Sequence, residues 1–187
     1  MAVKYILKYL RRTKDYMFMY GGNELIPIGY TNSDFMSDKD SRKSTSGHLF
    51  TLGCGVVSWK SIKQKCIADS TTEADYVAAC EAEKEAVWLI KFLMELEVVL
   101  ASLSPITLYC DNSGAVAQPK EPRNHGKGKH VEMKYHLIRD IVQRGDVTVT
   151  KIATADNLAD PFTKALPHKV FERHLDTLGL RCSSNEL

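Results

Sequence analysis

Four carboxylates, Asp34, Asp75, Asp111 and Asp160, stand where the local pattern changes from strand to loop or from loop to helix. Acids at the carboxyl ends of sheet strands lie beside the crevice in which α/β sheets bind ligands. Gathered in one place they repel one another unless a cation neutralises them, and divalent cations that favour oxygen ligands serve that purpose. Two Mg2+ ions roughly 3.5–4 Å apart, bridged by aspartate, activate a water and stabilise a leaving oxygen in phosphodiester cleavage. The plain alternative is that each acid caps a helix or faces solvent. The stretch IGYTNSDF, residues 28–35, sets a narrower question. An amide, Asn32, ends the apolar face of its strand, and the carboxylate Asp34 follows two residues later.

The elements that must hold these side chains are legible from periodicity. Val3, Ile6, Leu7 and Leu10 predict a short amphipathic helix over 3–13, followed by the turn-prone Gly21, Gly22 and Asn23. Strands are expected at 26–32, 48–52 and 55–59, the last two joined by a tight hairpin through Gly53 and Cys54. A long helix is expected from 71 or 72 to about 97, with Ser70 or Thr71 as its N-cap. Asp75, Ala78, Ala79, Ala82, Ala86, Leu89 and Leu93 share one face of it, and small side chains there let a helix lie close on a sheet. A carboxylate heading a buried stripe needs a reason, because a lone buried charge is costly. Glu73 sits about 200° round the helix from Asp75, so only one of them faces the sheet, and the stripe selects Asp75.

Residues 106–111 (ITLYCD) form a nearly continuous apolar run that suits a central strand and ends in Asp111. A short helix or loop with Asn112, Ser113 and Gly114 follows, then a helix over 131–143 and a strand over 147–152. The segment from about 157 reads as mostly helical, fraying after Leu180, and Trp59 and Trp88 are expected in the core. The order is three strands, helix, strand, helix, strand, helix, which is an α/β class.

Length and composition narrow the functional classes. The chain has 187 residues, 44% hydrophobic and 26% charged, as expected of one globular domain with an appendage. No apolar run approaches the ~20 residues of a membrane helix, and the basic, interrupted start is unlike a signal peptide. Five widely spaced cysteines without a C-x-x-C pair favour reduced thiols in an intracellular compartment, and disfavour a structural zinc site. The net charge of +2 hides a basic tract: Lys120, Arg123, Lys127, Lys129, Lys134 and Arg139, interleaved with His125, His130 and His136 and opposed by Glu121 and Glu132. Either this is a solvated surface or it follows a phosphate backbone. The histidine spacing fits no common zinc pattern.

Five stretches carry a further signal: DSRKSTSGHLFTLG, SWKSIKQKCIADSTTEADYVA, LYCDNSGAVA, KHVEMKYHLIRDIVQRGDV and NLADPFTKAL. In this order they resemble the ribonuclease H domain of Copia-type LTR retrotransposon Pol polyproteins, particularly those of plants. The resemblance covers roughly residues 3–180. It implies a ribonuclease H-like fold, a mixed five-stranded sheet flanked by helices, and Mg2+-dependent cleavage of the RNA strand of an RNA–DNA hybrid. Two ions are implied, with Mn2+ as a substitute, held by three aspartates and a glutamate. It also implies a connection segment from the reverse transcriptase over 1–25, a ribonuclease H domain over 26–166 and a C-terminal helix and tail over 167–187. The implied partners are the hybrid and the reverse transcriptase portion of the same polyprotein. The implied location is a cytoplasmic retrotransposon particle, not a membrane or the exterior.

Carried over position by position, the resemblance makes Asn32, Asp75, Asp111 and Asp160 the catalytic set, with Asp75, Asp111 and Asp160 as metal ligands. Asp34 and Glu73 are fallbacks. Arg42, Lys43, Ser44, Asn112, Ser113, Lys127, Lys129, His130 and His136 are candidate nucleic-acid contacts, although the residues around Ser44 serve equally to order their loop. Two positions depart from the family pattern: Asn32 stands where an aspartate is usual, and Asp75 where a glutamate is usual. Asn32 removes a charge from a cation site, and Asp75 is shorter by one methylene, roughly 1.5 Å of reach. A misplacement of about 1 Å costs on the order of 10²-fold in rate, so the nuclease is expected to be severely weakened. The alternative is a nuclease-dead hybrid-binding remnant of the same fold.

Overall fold

The computed structural model describes residues 2–21, 25–98, 105–117 and 145–182. The expected helix over 131–143, and with it Lys127, Lys129, His130 and His136, lies outside the described residues.

A hairpin starts the main sheet. Strands β2 (Ile28–Asp34), β3 (Thr45–Leu52) and β4 (Gly55–Lys63) form an antiparallel meander. Gly53 and Cys54, both at positive φ (+55° and +65°), make the β3–β4 turn, the backbone hand that suits a twisted hairpin. β5 (Ile106–Cys110) and β6 (Val147–Lys151) join in parallel, giving the order β4-β3-β2-β5-β6. Helix α2 (Thr71–Glu95) lies across this sheet. Its small-residue stripe lets it approach: Ala78, Ala82 and Ala86 are fully buried, and Leu89 and Leu93 pack with Phe50, Ile106, Leu108 and Val147. Helix α3 (Ser113–Ala117) follows β5 directly. The mixed five-stranded α/β architecture is the one expected.

Strands β3 and β4 run further than their apolar patterns, and β2 is displaced, starting at Ile28 rather than at 26. β2 ends at Asp34 rather than at 32, and the β3–β4 ladder reaches Thr45 opposite Lys63. Backbone pairing continues there without needing apolar side chains.

The flanks correct the sequence reading. The segment after 157 is helical only in part. Following a 3₁₀ turn at Thr154–Asp156, it makes a second 3₁₀ turn at Asp160–Phe162, helix α4 (His168–Thr177) and, where fraying was expected, strand β7 (Leu180–Cys182). β7 pairs with β1 (Tyr16–Phe18) in a second, two-stranded sheet. Main-chain bonds from Met19 to Gly179 (2.8 Å), Gly21 to Gly53 (2.9 Å) and Val56 to Leu178 (3.3 Å) fasten both flanks to the β3–β4 hairpin. Helix α1 (Ala2–Thr13) forms as expected, but its apolar residues Val3, Ile6, Leu7 and Leu10 stay exposed.

The two tryptophans are not core. Trp59 lies on the edge strand β4, more than half exposed, against Phe18 at 5.8 Å between ring centroids. Trp88 points away from the sheet-facing stripe of α2 and stacks on Phe92 at 5.2 Å. An edge strand and the outer face of a helix offer nothing to bury them.

Candidate active site

Gly47 brings two distant parts of the chain together. It pairs with Asn32 across the β2–β3 ladder. A Cβ at position 47 would meet Thr163 Cγ2 at 2.7 Å and Phe162 Cβ at 2.9 Å, so only glycine lets the Asp160–Phe162 turn close onto β3. Asn157 is buried beneath this turn. Its amide donates to the Thr31 carbonyl (3.0 Å) and its carbonyl accepts from the Ala159 N–H (3.1 Å). The result sets Asp160 beside the end of β2.

There the Asn32 side-chain amide donates to Asp160 Oδ1, and also reaches Thr163 Oγ1 at 3.4 Å. The Lys164 ammonium lies 3.0 Å from the same Asp160 oxygen, one helical turn along the chain. Asp160 is thus nearly buried between an amide and an ammonium.

Asp75 is fixed from the other side. Its Oδ1 accepts from the Ser33 hydroxyl (2.6 Å) and the Ser33 N–H (2.9 Å), and its Oδ2 accepts from the Asn112 side-chain amide (2.8 Å). The Ser33 N–H is shared with Asn32 Oδ1, also at 2.9 Å, so one backbone donor links the amide and the acid. Burial pushes the Asp75 carboxyl above its usual range. The hydrogen bonds from Ser33 and Asn112 pull the other way, and the nearby Asp111 charge adds to the rise. Asp111 follows β5 and is half-buried, and its carbonyl accepts from the Lys151 ammonium at 2.6 Å. Asn32, Ser33, Asp34, Asp75, Asp111 and Lys164 all line one open cleft of about 700 Å³.

The structure therefore places positions 32, 75 and 111 on one cleft and ties Asp160 to it through Asn32 and Lys164. Asp34 lies further along β2, opposite Thr45, and also lines the cleft. Glu73 does not join it. Its carboxylate accepts from the Asp69 N–H (2.8 Å) while its own N–H donates to Ser70 Oγ (3.1 Å), making it part of the α2 cap.

Among the nucleic-acid candidates, Arg42 is exposed and Lys43 half-exposed on the β2–β3 loop, and Ser113 is exposed at the cleft. Ser44 is fully buried, accepting from the Met36 N–H (3.1 Å), so it orders the loop and is not a phosphate donor. Both ends of the Asn112 side chain are engaged. Its amide holds Asp75 and its oxygen caps α3 at Gly114 (2.9 Å) and Ala115 (3.3 Å).

Sequence reasoning missed Ser33, Thr163 and Lys164. Lys164 had a signal in its i,i+4 spacing from Asp160; Ser33 and Thr163 had none, because their partners arrive only when the chain closes.

Among the described residues, no three His, Cys, Asp or Glu side chains come together to hold a metal ion. Both Asp75 oxygens accept hydrogen bonds, one Asp160 oxygen is shared by two donors, and Asn32 presents N–H hydrogens towards Asp160. In this arrangement the residues do not fit a two-ion centre.

Similarity to known proteins agrees with the fold. No protein-family model matches the chain. It is 42% identical over 179 residues, 96% of its length, to the retrovirus-related Pol polyprotein from transposon TNT 1-94 of Nicotiana tabacum. It is 37% identical over 180 residues to the corresponding polyprotein from transposon RE1 of Arabidopsis thaliana. The chain spans 13% and 12% of the lengths of these polyproteins. Among solved structures it resembles LC11-RNase H1, isolated from compost, with a TM-score of 0.53 and 15% identity, covering 80% of this chain and 97% of that one. The same enzyme in complex with an RNA/DNA hybrid gives a TM-score of 0.51 at 16% identity, covering 73% and 93%. The chain thus has the ribonuclease H fold and is, along nearly all of its length, a relative of the retrovirus-related Pol polyproteins of plant transposons.

Proposed function

We propose that this chain acts as the ribonuclease H domain of a Copia-type retrotransposon Pol polyprotein, engaging RNA–DNA hybrid and cleaving its RNA strand at a strongly reduced rate. The single observation that carries the reduction is the Asn32–Asp160 hydrogen bond. A position that would supply a second negative charge supplies a donor instead, and together with the Lys164 ammonium it satisfies the neighbouring acid without a divalent ion. The two-ion Mg2+ chemistry implied by the resemblance is the part for which this cleft is least equipped. Hybrid engagement draws support from Ser113, exposed at the cleft, from Arg42, exposed on the β2–β3 loop, and from the basic tract at 120–139. The upstream reverse transcriptase of the same polyprotein is the proposed partner of the N-terminal segment, whose helix α1 exposes its apolar residues.

The second reading, hybrid binding with no cleavage at all, is favoured by the absence of a three-ligand group among the described residues. One experiment separates the readings. A labelled RNA–DNA hybrid is incubated with the chain in Mg2+ or Mn2+, with Asp111→Asn as the control, and binding is followed across a salt series. Slow cleavage lost in the control supports the first. Binding that falls with salt, without cleavage, supports the second. Absence of hybrid binding at low salt contradicts both.

A further inference from the structure

The misfit between this cleft and a divalent-ion centre points to a different means of neutralising it. We infer that Lys164 is a tethered counter-cation for the acid cleft: its ammonium occupies the charge-balancing place on Asp160 and competes there with divalent ions. The inference rests on the ribonuclease H reading of the cleft but concerns the protein alone, without nucleic acid.

Three observations carry it. The Lys164 ammonium lies 3.0 Å from Asp160 Oδ1, an ion-pair distance, and lines the same cleft as Asp75 and Asp111. Asp160 is nearly buried while the lysine side chain is 40% exposed, so the acid depends on this partner and the lysine can swing away from it. The other donor to that oxygen is the neutral Asn32 amide. Lys164 is therefore the only full positive charge bonded to the Asp160 carboxylate among the described residues. A divalent ion bound to Asp160 would stand within a few ångströms of a like charge, and Coulomb repulsion at that distance is strong even near solvent. Lys151 leaves Asp111 freer, because it engages the main-chain carbonyl and not the carboxylate.

The test is Mn2+ binding to the nucleic-acid-free protein, read by electron paramagnetic resonance and by the Mn2+-dependent shift in melting temperature. Lys164→Gln should bind Mn2+ about ten-fold more tightly than the parent, whereas Lys164→Arg, which keeps the charge, should stay within about two-fold of it. The lysine is half-exposed and the Asn32 amide still bonds Asp160 in both variants, so both should fold, which their metal-free melting temperatures check. Equal Mn2+ affinity in the parent and Lys164→Gln would overturn the inference, as would a rise in Lys164→Arg as large as that in Lys164→Gln. Neither result bears on whether the parent binds or cleaves hybrid, so failure here is separable from failure of the functional reading.

Discussion

The side-chain amide of Asn32 donates to Oδ1 of Asp160 across 128 positions of sequence, tying the end of β2 to the Asp160–Phe162 turn. A carboxylate at position 32 could not make this bond. It would face Asp160 as a like charge and call for a cation between them. In Asn32→Asp, stability in metal-free buffer should fall by about 1–3 kcal/mol, as the buried Asp160 oxygen loses one of its two donors and gains a like charge beside it. Added Mg2+ should restore part of that loss in the variant and do little to the parent. Urea denaturation with and without Mg2+ measures both; equal stability of the two proteins in metal-free buffer contradicts the expectation.

Ser33 holds Asp75 through both its hydroxyl and its backbone N–H. Ser33→Ala removes the 2.6 Å bond to a charged acceptor, for a loss of about 1.5–3 kcal/mol. It should also raise the Asp75 carboxyl further, since burial would then meet less opposition. Denaturation gives the first quantity and an NMR titration of the Asp75 side chain the second. A carboxyl that titrates lower in the variant would show that the hydroxyl does not stabilise the ionised form.

Glu83 lies fully buried on α2 with neither oxygen hydrogen-bonded, and burial pushes its carboxyl up to about 8 from an ordinary 4.5. Between those values the unfolded chain has released this proton and the folded chain keeps it, so the Glu83 contribution to stability falls as pH rises. The slope is at most about 1.4 kcal/mol per pH unit and levels off above the folded value. Glu83→Met removes this dependence. The stability difference, variant minus parent, should grow in the variant's favour from pH 5 to pH 8, which cancels the opposing titration of the buried His48 and His174. A difference that does not change with pH would contradict the assignment.

Cys54 sits at a φ of +65° in the β3–β4 turn, where a side chain is strained, and is exposed. Cys54→Gly should stabilise the fold by about 0.5–1 kcal/mol, since relief of strain outweighs the added chain freedom. A melting temperature below that of the parent would count against it.

What the sequence revealed follows from how local each feature is. The α2 stripe was legible because a periodic run of small and apolar residues fixes both the helix and the face it buries, and Asp75 was selected by that same periodicity. Asp111 was legible as the end of an apolar strand, which lies inside the sheet between β2 and β6 and is fully buried on one face only. The β1–β7 pair was not, since each strand has three residues and exists only because its partner returns from the far end of the chain. Ser33 and Thr163 were hidden for a related reason: their partners Asp75 and Asn32 reach them only when the chain closes. The tryptophans were misplaced because residue type suggests burial, whereas position on an edge strand or an outer helix face decides it.

The most direct test of the central claim, that positions 32 and 75 have weakened a site built for cation-dependent cleavage, is the initial rate of RNA cleavage in Mg2+ for the parent and for the Asn32→Asp, Asp75→Glu double variant. Restoring the charge and the reach should raise the rate by at least about 10²-fold. A double variant no faster than the parent, though folded and bound to hybrid, would contradict the account.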